Sequence, residues 1–110
     1  MVRRKKLFFK KEFAVGIASG SKTSTIRLSS NLRAGDEVEL IAGGIRLGMA
    51  RIESVEVKKV RELTDDDARR DGFSSRDELV ETLKRLYRSK GLNEGTEVKL
   101  IRFKLKRQNQ

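Results

Sequence analysis

With 110 residues, no cysteine, no histidine and a formal net charge of +10, the chain offers one domain's length of strongly basic protein. The missing residue types exclude disulfides, thiolate catalysis, Ser-His-Asp hydrolysis and zinc–cysteine sites, and they argue against a transition-metal centre, so neither metal nor cofactor is expected. No apolar run approaches the roughly 20 residues that cross a bilayer, and Leu7-Phe8-Phe9 is too short for the core of a signal peptide; a cytoplasmic chain without a membrane segment is expected.

Leu7-Phe8-Phe9 reads as a short strand leading into a helix over Lys10–Ser19, in which Phe13, Ala14 and Ile17 face inward at helical spacing. Gly20 ends that helix, at the place where a left-handed residue is easiest. Thr23 to Leu28 alternates as a strand, with Thr23, Thr25 and Arg27 on one face and Ser24, Ile26 and Leu28 on the other. Ile26 and Leu28 are then the core side, and Thr25 and Arg27 share the functional side. Lys22 stands just before the strand, at the rim of the site, where the turn can bend its side chain towards Thr25.

Asn31–Gly35 reads as a loop and Asp36–Ile41 as a strand with Val38 and Leu40 on one side. The glycine pair of Ala42-Gly43-Gly44 marks a hairpin. Ile45–Val60 is a long strand whose apolar alternation (Leu47, Met49) slips phase to Ile52, Val55 and Val57, the sign of a bulge where a strand wraps a barrel. Thr64-Asp65-Asp66-Asp67 opens a short helix, the threonine as cap and the acids at the positive end of the dipole, which explains three adjacent carboxylates without a metal. Asp71-Gly72 closes that helix and Phe73 plugs into the core. Ser75–Glu78 is a capping box for a second helix carrying Leu79, Leu83, Leu86 and Tyr87 on its apolar side, ended by Lys90-Gly91. Thr96–Lys106 is the last strand, with a second phase slip at Leu100-Ile101. Residues 107–110 read as a frayed tail of a single domain spanning 1–110.

Evenly spaced strands, two of them bulged, with helices inserted rather than alternating, describe a small mixed β-barrel of the α+β class. A doubly wound sheet is excluded by the same order, and so is one tempting motif. Gly16, Lys22 and Thr23 satisfy most of a phosphate-binding P-loop, but Ser21 occupies its second glycine position and the loop follows a helix instead of opening one.

The charge is localised. Residues 1–33 hold nine Lys/Arg against one acid and residues 96–110 five against one, whereas the segment between them carries a net −2. If the two ends lie side by side they form one basic face, the footprint of a polyanion binder. On this reading RNA or a nucleoside or nucleotide is the expected partner of a monomeric chain. The candidate phosphate contacts are Arg3, Arg4, Lys5, Lys6, Lys22 and Arg27, with Lys104 and Lys106 joining from the other end. Phe8 or Phe9 can stack a base, although both read first as core.

The stretch Gly20-Ser21-Lys22-Thr23-Ser24-Thr25-Ile26-Arg27 concentrates polar chemistry where a helix hands over to a strand. Gly20-Ser21-Lys22, with Arg27 five residues after the lysine, resembles the G-x-K-x-x-x-x-R signature of ASCH (activating-signal-cointegrator homology) domains, small relatives of the PUA barrel. Their usual motif has glutamate where Thr25 stands. The threonine version is similar to the subgroup that includes the small N4-acetylcytidine amidohydrolase, and the resemblance extends through Gly35-Asp36-Glu37-Val38, Leu63-Thr64, the Leu79 helix and Ile101-Arg102-Phe103. It implies a PUA-like fold, RNA binding in a cleft between barrel and helices, and, for that subgroup, catalysis by a lysine, a threonine and a glutamate. Lys22 and Thr25 match the first two; the third position falls on Asp71, one methylene shorter.

In chemical terms a threonine hydroxyl becomes a nucleophile when a base takes its proton. Lysine serves as that base where burial lowers its pKa towards roughly 7–8. Asp71 would then position the ammonium, and Arg27 would bind a phosphate, carbonyl or carboxylate.

Overall fold

The computed structural model describes residues 5–106; Arg3, Arg4 and the tail 107–110 lie outside the described residues. Five strands form one curled sheet, an open half-barrel: β1 (Lys5–Phe9), β2 (Ser24–Arg27), β3 (Glu37–Ala42), β4 (Ile45–Lys59) and β5 (Glu97–Leu105), in the spatial order β1-β3-β4-β5-β2. Only β1 and β3 run parallel; the other pairs are antiparallel. A 3-10 turn over Lys11–Phe13 leads into α1 (Ala14–Ser19), and α2 (Asp65–Arg70) and α3 (Arg76–Leu86) follow β4. The α+β barrel-like class expected from the sequence is the class observed. Among the described residues no helix is long and apolar enough to cross a membrane.

The curl comes from β4. Its partner register jumps between Leu40 and Ile41 of β3, leaving Leu47 unpaired, and again between Ile52 and Ser54, leaving Glu53 unpaired. Each extra residue bends the strand and adds twist. The hairpin into β4 turns on Gly43 and Gly44, both at positive φ (56° and 82°), which a two-residue turn of this hand requires.

The second phase slip, in β5, is no bulge. Its pairing across Leu100 and Ile101 is uninterrupted on both sides, to β2 and to β4; the displaced residue, Glu53 of β4, lies further along, opposite Arg102 and Phe103. Leu100 and Ile101 are both apolar because both faces of β5 are covered. Ile101 and Phe103 join Leu7, Ile17, Val38, Leu40, Ala50 and Ile52 in one cluster. Val98 and Leu100 join Ile26, Val60, Leu63, Ala68, Leu79, Val80 and Leu83 in the other, against α2 and α3. A strand buried on both sides loses the alternation that a half-buried one shows.

Three smaller expectations are corrected. Val57 is exposed, as is Leu86, and α3 buries Val80 instead. The Ser75 cap forms, its hydroxyl accepting from Glu78 N, but the Glu78 carboxylate takes the Ser74 N–H in place of the Ser75 one. The α2 start behaves as read: Thr64 accepts from Asp67 N and Asp67 accepts from Thr64 N.

Candidate functional site

Gly20, at φ 87°, lets the chain leave α1 in a left-handed turn. The two residues before β2 are then stitched to three separate elements. Lys22 N donates to Gly16 O (3.0 Å), Thr23 N donates to Arg70 O at the end of α2 (2.8 Å), and Thr23 O accepts from Phe103 N (3.0 Å). This docking fixes the Lys22 side chain beneath the C-terminal end of α2. It is 3% exposed, and so it lies in the interior and not at the rim. Its ammonium group spends all three protons: on Ser24 O (3.0 Å), on Asp71 O (2.7 Å) and on the Asp71 carboxylate. Phe13 lies against it, ring centroid 4.5 Å from Nζ, a cation–π contact. The expected bend of Lys22 towards Thr25 is therefore not made; the neighbouring carbonyl and Asp71 take its protons instead.

Asp71 is the residue that closes α2, its N–H held by Ala68 O and Asp67 O. One methylene fewer than glutamate does not keep it from Lys22. Burial pushes its pKa up to about 6, with the Lys22 and then the Arg27 charge opposing. Burial likewise pulls the Lys22 ammonium below the ordinary lysine value, with Asp71 opposing and Arg27 adding to the fall.

Thr25 and Arg27 share a face of β2, as the alternation indicates. The buried Thr25 Oγ1 accepts from Arg27 Nε (3.2 Å), and Arg27 Nη2 donates to Phe8 O (2.6 Å). Arg27 thereby ties β2 to β1, the two open edges of the sheet. Its guanidinium lies 5.2 Å from the Phe9 ring centroid. Among the described residues no group accepts the Thr25 hydroxyl proton.

These side chains floor a cavity of about 330 Å³ at the edge where the two apolar clusters meet. Because β2 is an edge strand, both Thr25 and Ile26 reach it. The walls are aromatic and aliphatic: Phe8, Phe9, Phe13, Phe73, Tyr87 and Leu83. The chain has five phenylalanines, one tyrosine and no tryptophan, and every one of those aromatics except Phe103 lines this cavity. Phe8 stands at its mouth, 60% exposed, which sets aside a core role for it.

Comparison with known proteins then decides the family: the ASCH domain family model matches residues 5–105. The chain belongs to the ASCH domain family. Among solved structures this ASCH chain is similar to a DUF984 protein from Enterococcus faecalis V583 (TM-score 0.74, 15% identity, covering 100% of this chain and 86% of that one). It is also similar to an ASCH domain from Lactobacillus crispatus JV V101 (TM-score 0.72, 15% identity, 92% and 79% covered) and to hypothetical protein PH0355 (TM-score 0.73, 17% identity, 94% and 100% covered). At these identities the likeness concerns the fold. No curated protein matches the chain.

Of the residues singled out from the ASCH sequence, Lys22, Thr25, Arg27 and Asp71 come together in the cavity. Gly20 and Thr23 face a second groove on the far side of Lys22, shared with Arg70, Arg102 and Lys104. Ser21 lines the cleft between α1 and α3 that continues from the cavity mouth, its hydroxyl donating to Gly16 O. The two ends of the sheet's charge do lie in one row, since Lys5 pairs with Val38, Val38 with Ala50 and Ala50 with Leu105. That row is nevertheless not a bare cationic face: Lys5 donates to Asp36 (2.7 Å) and Lys106 to Glu37. Lys5, Lys6, Lys104 and Lys106 all lie outside the cavity. Sequence reasoning missed Phe13, Phe73 and Tyr87 as site walls, having placed them in the core. The scarcity of aromatics and their spacing around the motif was the available signal.

Proposed function

We propose that this ASCH domain binds RNA or a nucleoside by taking one aromatic base into the Lys22–Thr25–Arg27 cavity. One observation carries the reading: nearly all the aromatic side chains of an aromatic-poor chain line a single concavity. Its volume of about 330 Å³ is within the roughly 300–1,000 Å³ of small-ligand pockets, in which apolar walls and a few convergent polar groups are the rule. Bases stack on such walls irrespective of sequence, and the polar floor reads the base edge. Lys10 at the mouth supplies a contact for a flanking phosphate.

Titration with short single-stranded RNA and with free nucleosides tests this, followed by Phe9 and Phe73 ring resonances. Saturable binding is expected, with Phe8→Ala weakening it by about 1–3 kcal/mol and RNA affinity falling steeply with salt. Absence of saturable binding to any base at low salt overturns the reading.

A second reading is hydrolysis of N4-acetylcytidine or a related acylated nucleoside. It is favoured by the Thr25 hydroxyl, whose proton has no described acceptor and whose neighbour Lys22 has a lowered pKa. For Lys22 to act as base, its ammonium must first give up one of the three protons it donates, and the Asp71 carboxylate is the acceptor in place for it. The assay is release of acetate and cytidine, lost in Thr25→Ala; no turnover by the folded protein leaves binding alone.

A further inference from the structure

The floor of the cavity carries a positive charge that the protein itself does not balance. Three cations (Lys10, Lys22 and Arg27) and two carboxylates (Glu12 and Asp71) line it. Lys22 is matched by Asp71. Arg27 is different: among the described residues no carboxylate pairs with its guanidinium. Its Nε proton goes to Thr25 and one Nη2 proton to Phe8 O. A guanidinium has five N–H donors, so both Nη1 protons and the second Nη2 proton have no described acceptor. Beside them is the hydroxyl proton of Thr25, which has no acceptor among the described residues.

A cation half-buried among aromatic rings with no counterion is costly to keep, and an anion supplied from outside removes that cost. The fork geometry of the remaining protons suits a two-oxygen group. We propose that the Arg27–Thr25 end of the cavity is an oxyanion receptor, taking the carboxylate or phosphate of a ligand whose flat body lies against Phe8, Phe9 and Tyr87. The proposal rests on the same cavity as the base-binding reading and adds an anionic group to the ligand. Lys22 takes no direct part, because its charge is matched by Asp71 and its protons are already used.

The test uses the full chain and two probes of nearly equal shape, sodium benzoate and benzamide, at constant ionic strength. Binding is read from amide shifts of Thr25 and from the Arg27 Nε–H resonance. Benzoate is expected to bind about tenfold more tightly than benzamide or better, the size of one charge-assisted hydrogen bond over a neutral one. Arg27→Gln is expected to erase the difference. Because Arg27 also joins β1 to β2, that variant can lose the fold; the wild-type comparison decides without it, and equal affinity for the two probes overturns the proposal. Sodium phosphate in a parallel arm assigns the source. If it shifts the same resonances more strongly than acetate, the group is a phosphate; if less, a carboxylate. A neutral nucleoside such as uridine separates the two ideas. Benzoate binding without nucleoside binding removes base recognition alone, and nucleoside binding without benzoate preference removes the oxyanion receptor alone.

Discussion

Lysine–carboxylate pairs in two regions of this fold have the same chemistry and opposite physics. At the end of the sheet, Lys5 and Lys106 reach Asp36 and Glu37 in contact with water. There the lysine hydrogen bond is the leading influence and holds each carboxyl below its ordinary range. Beneath the cavity, Lys22 and Asp71 are paired just as closely, but burial leads and drives the carboxyl the other way, to about 6. A partner favours the charged form and loss of water disfavours it; which wins depends on where the pair lies. The exposed pairs colour the surface, whereas the buried one holds a helix end, a loop and a strand edge in register.

The contrast is broken most severely by halving the buried pair. Lys22→Met or Asp71→Leu alone is expected to cost about 3–5 kcal/mol, because each leaves an uncompensated group inside. The double variant should recover most of that loss, since buried pairs replaced by apolar residues of similar size are often neutral. Chemical denaturation measures all three, and singles that cost no more than a surface change would mean that the pair is open to water.

A subtler test follows the Asp71 proton. Its carboxyl carbon should titrate with a midpoint near 6 against an ordinary value of 3.8. The folded chain then binds that proton more tightly than the unfolded chain does. Its contribution to stability is therefore complete below pH 3.8 and is lost as pH rises through about 6, amounting to at most roughly 3 kcal/mol. Asp71→Asn should flatten this part of the stability profile, and a carboxyl that titrates near 4 would show that burial does not dominate.

The smallest effect lies at the sheet end. Lys5→Gln and Lys106→Gln should leave the thermal midpoint within error of wild type, as exposed pairs do. A clear drop in either would erase the distinction between the two regions.

Much of this was legible from the chain. Gly20, the Thr25–Arg27 face, the Thr64 cap and the Gly43–Gly44 hairpin each depend on neighbours in sequence, and each stands where the local pattern puts it. What escaped depends on neighbours in space. The depth of Lys22 is set by α2, which arrives more than forty residues later, and nothing in Ser21-Lys22-Thr23 announces that all three ammonium protons will be used. The apolar pair Leu100-Ile101 looks the same in a bulged strand as in one covered on both faces; only the layers above and below distinguish them. Likewise Phe13, Phe73 and Tyr87 are spaced as core residues are, and a cavity wall is a core surface with one neighbour missing.

Strand β2 has a single partner in the sheet, and that partner is distant in time as well as in sequence: Ser24 pairs with Arg102, and Arg27 with Lys99. During synthesis the loop and its threonine exist well before the segment that can hold them straight, so contacts of such long reach close late. A nascent chain that has not yet delivered residues 97–105 carries the motif and every residue that lines the cavity, but not the strand that β2 pairs with. The cavity floor formed by Thr25 and Arg27 is in that sense completed only when the last strand has been laid down.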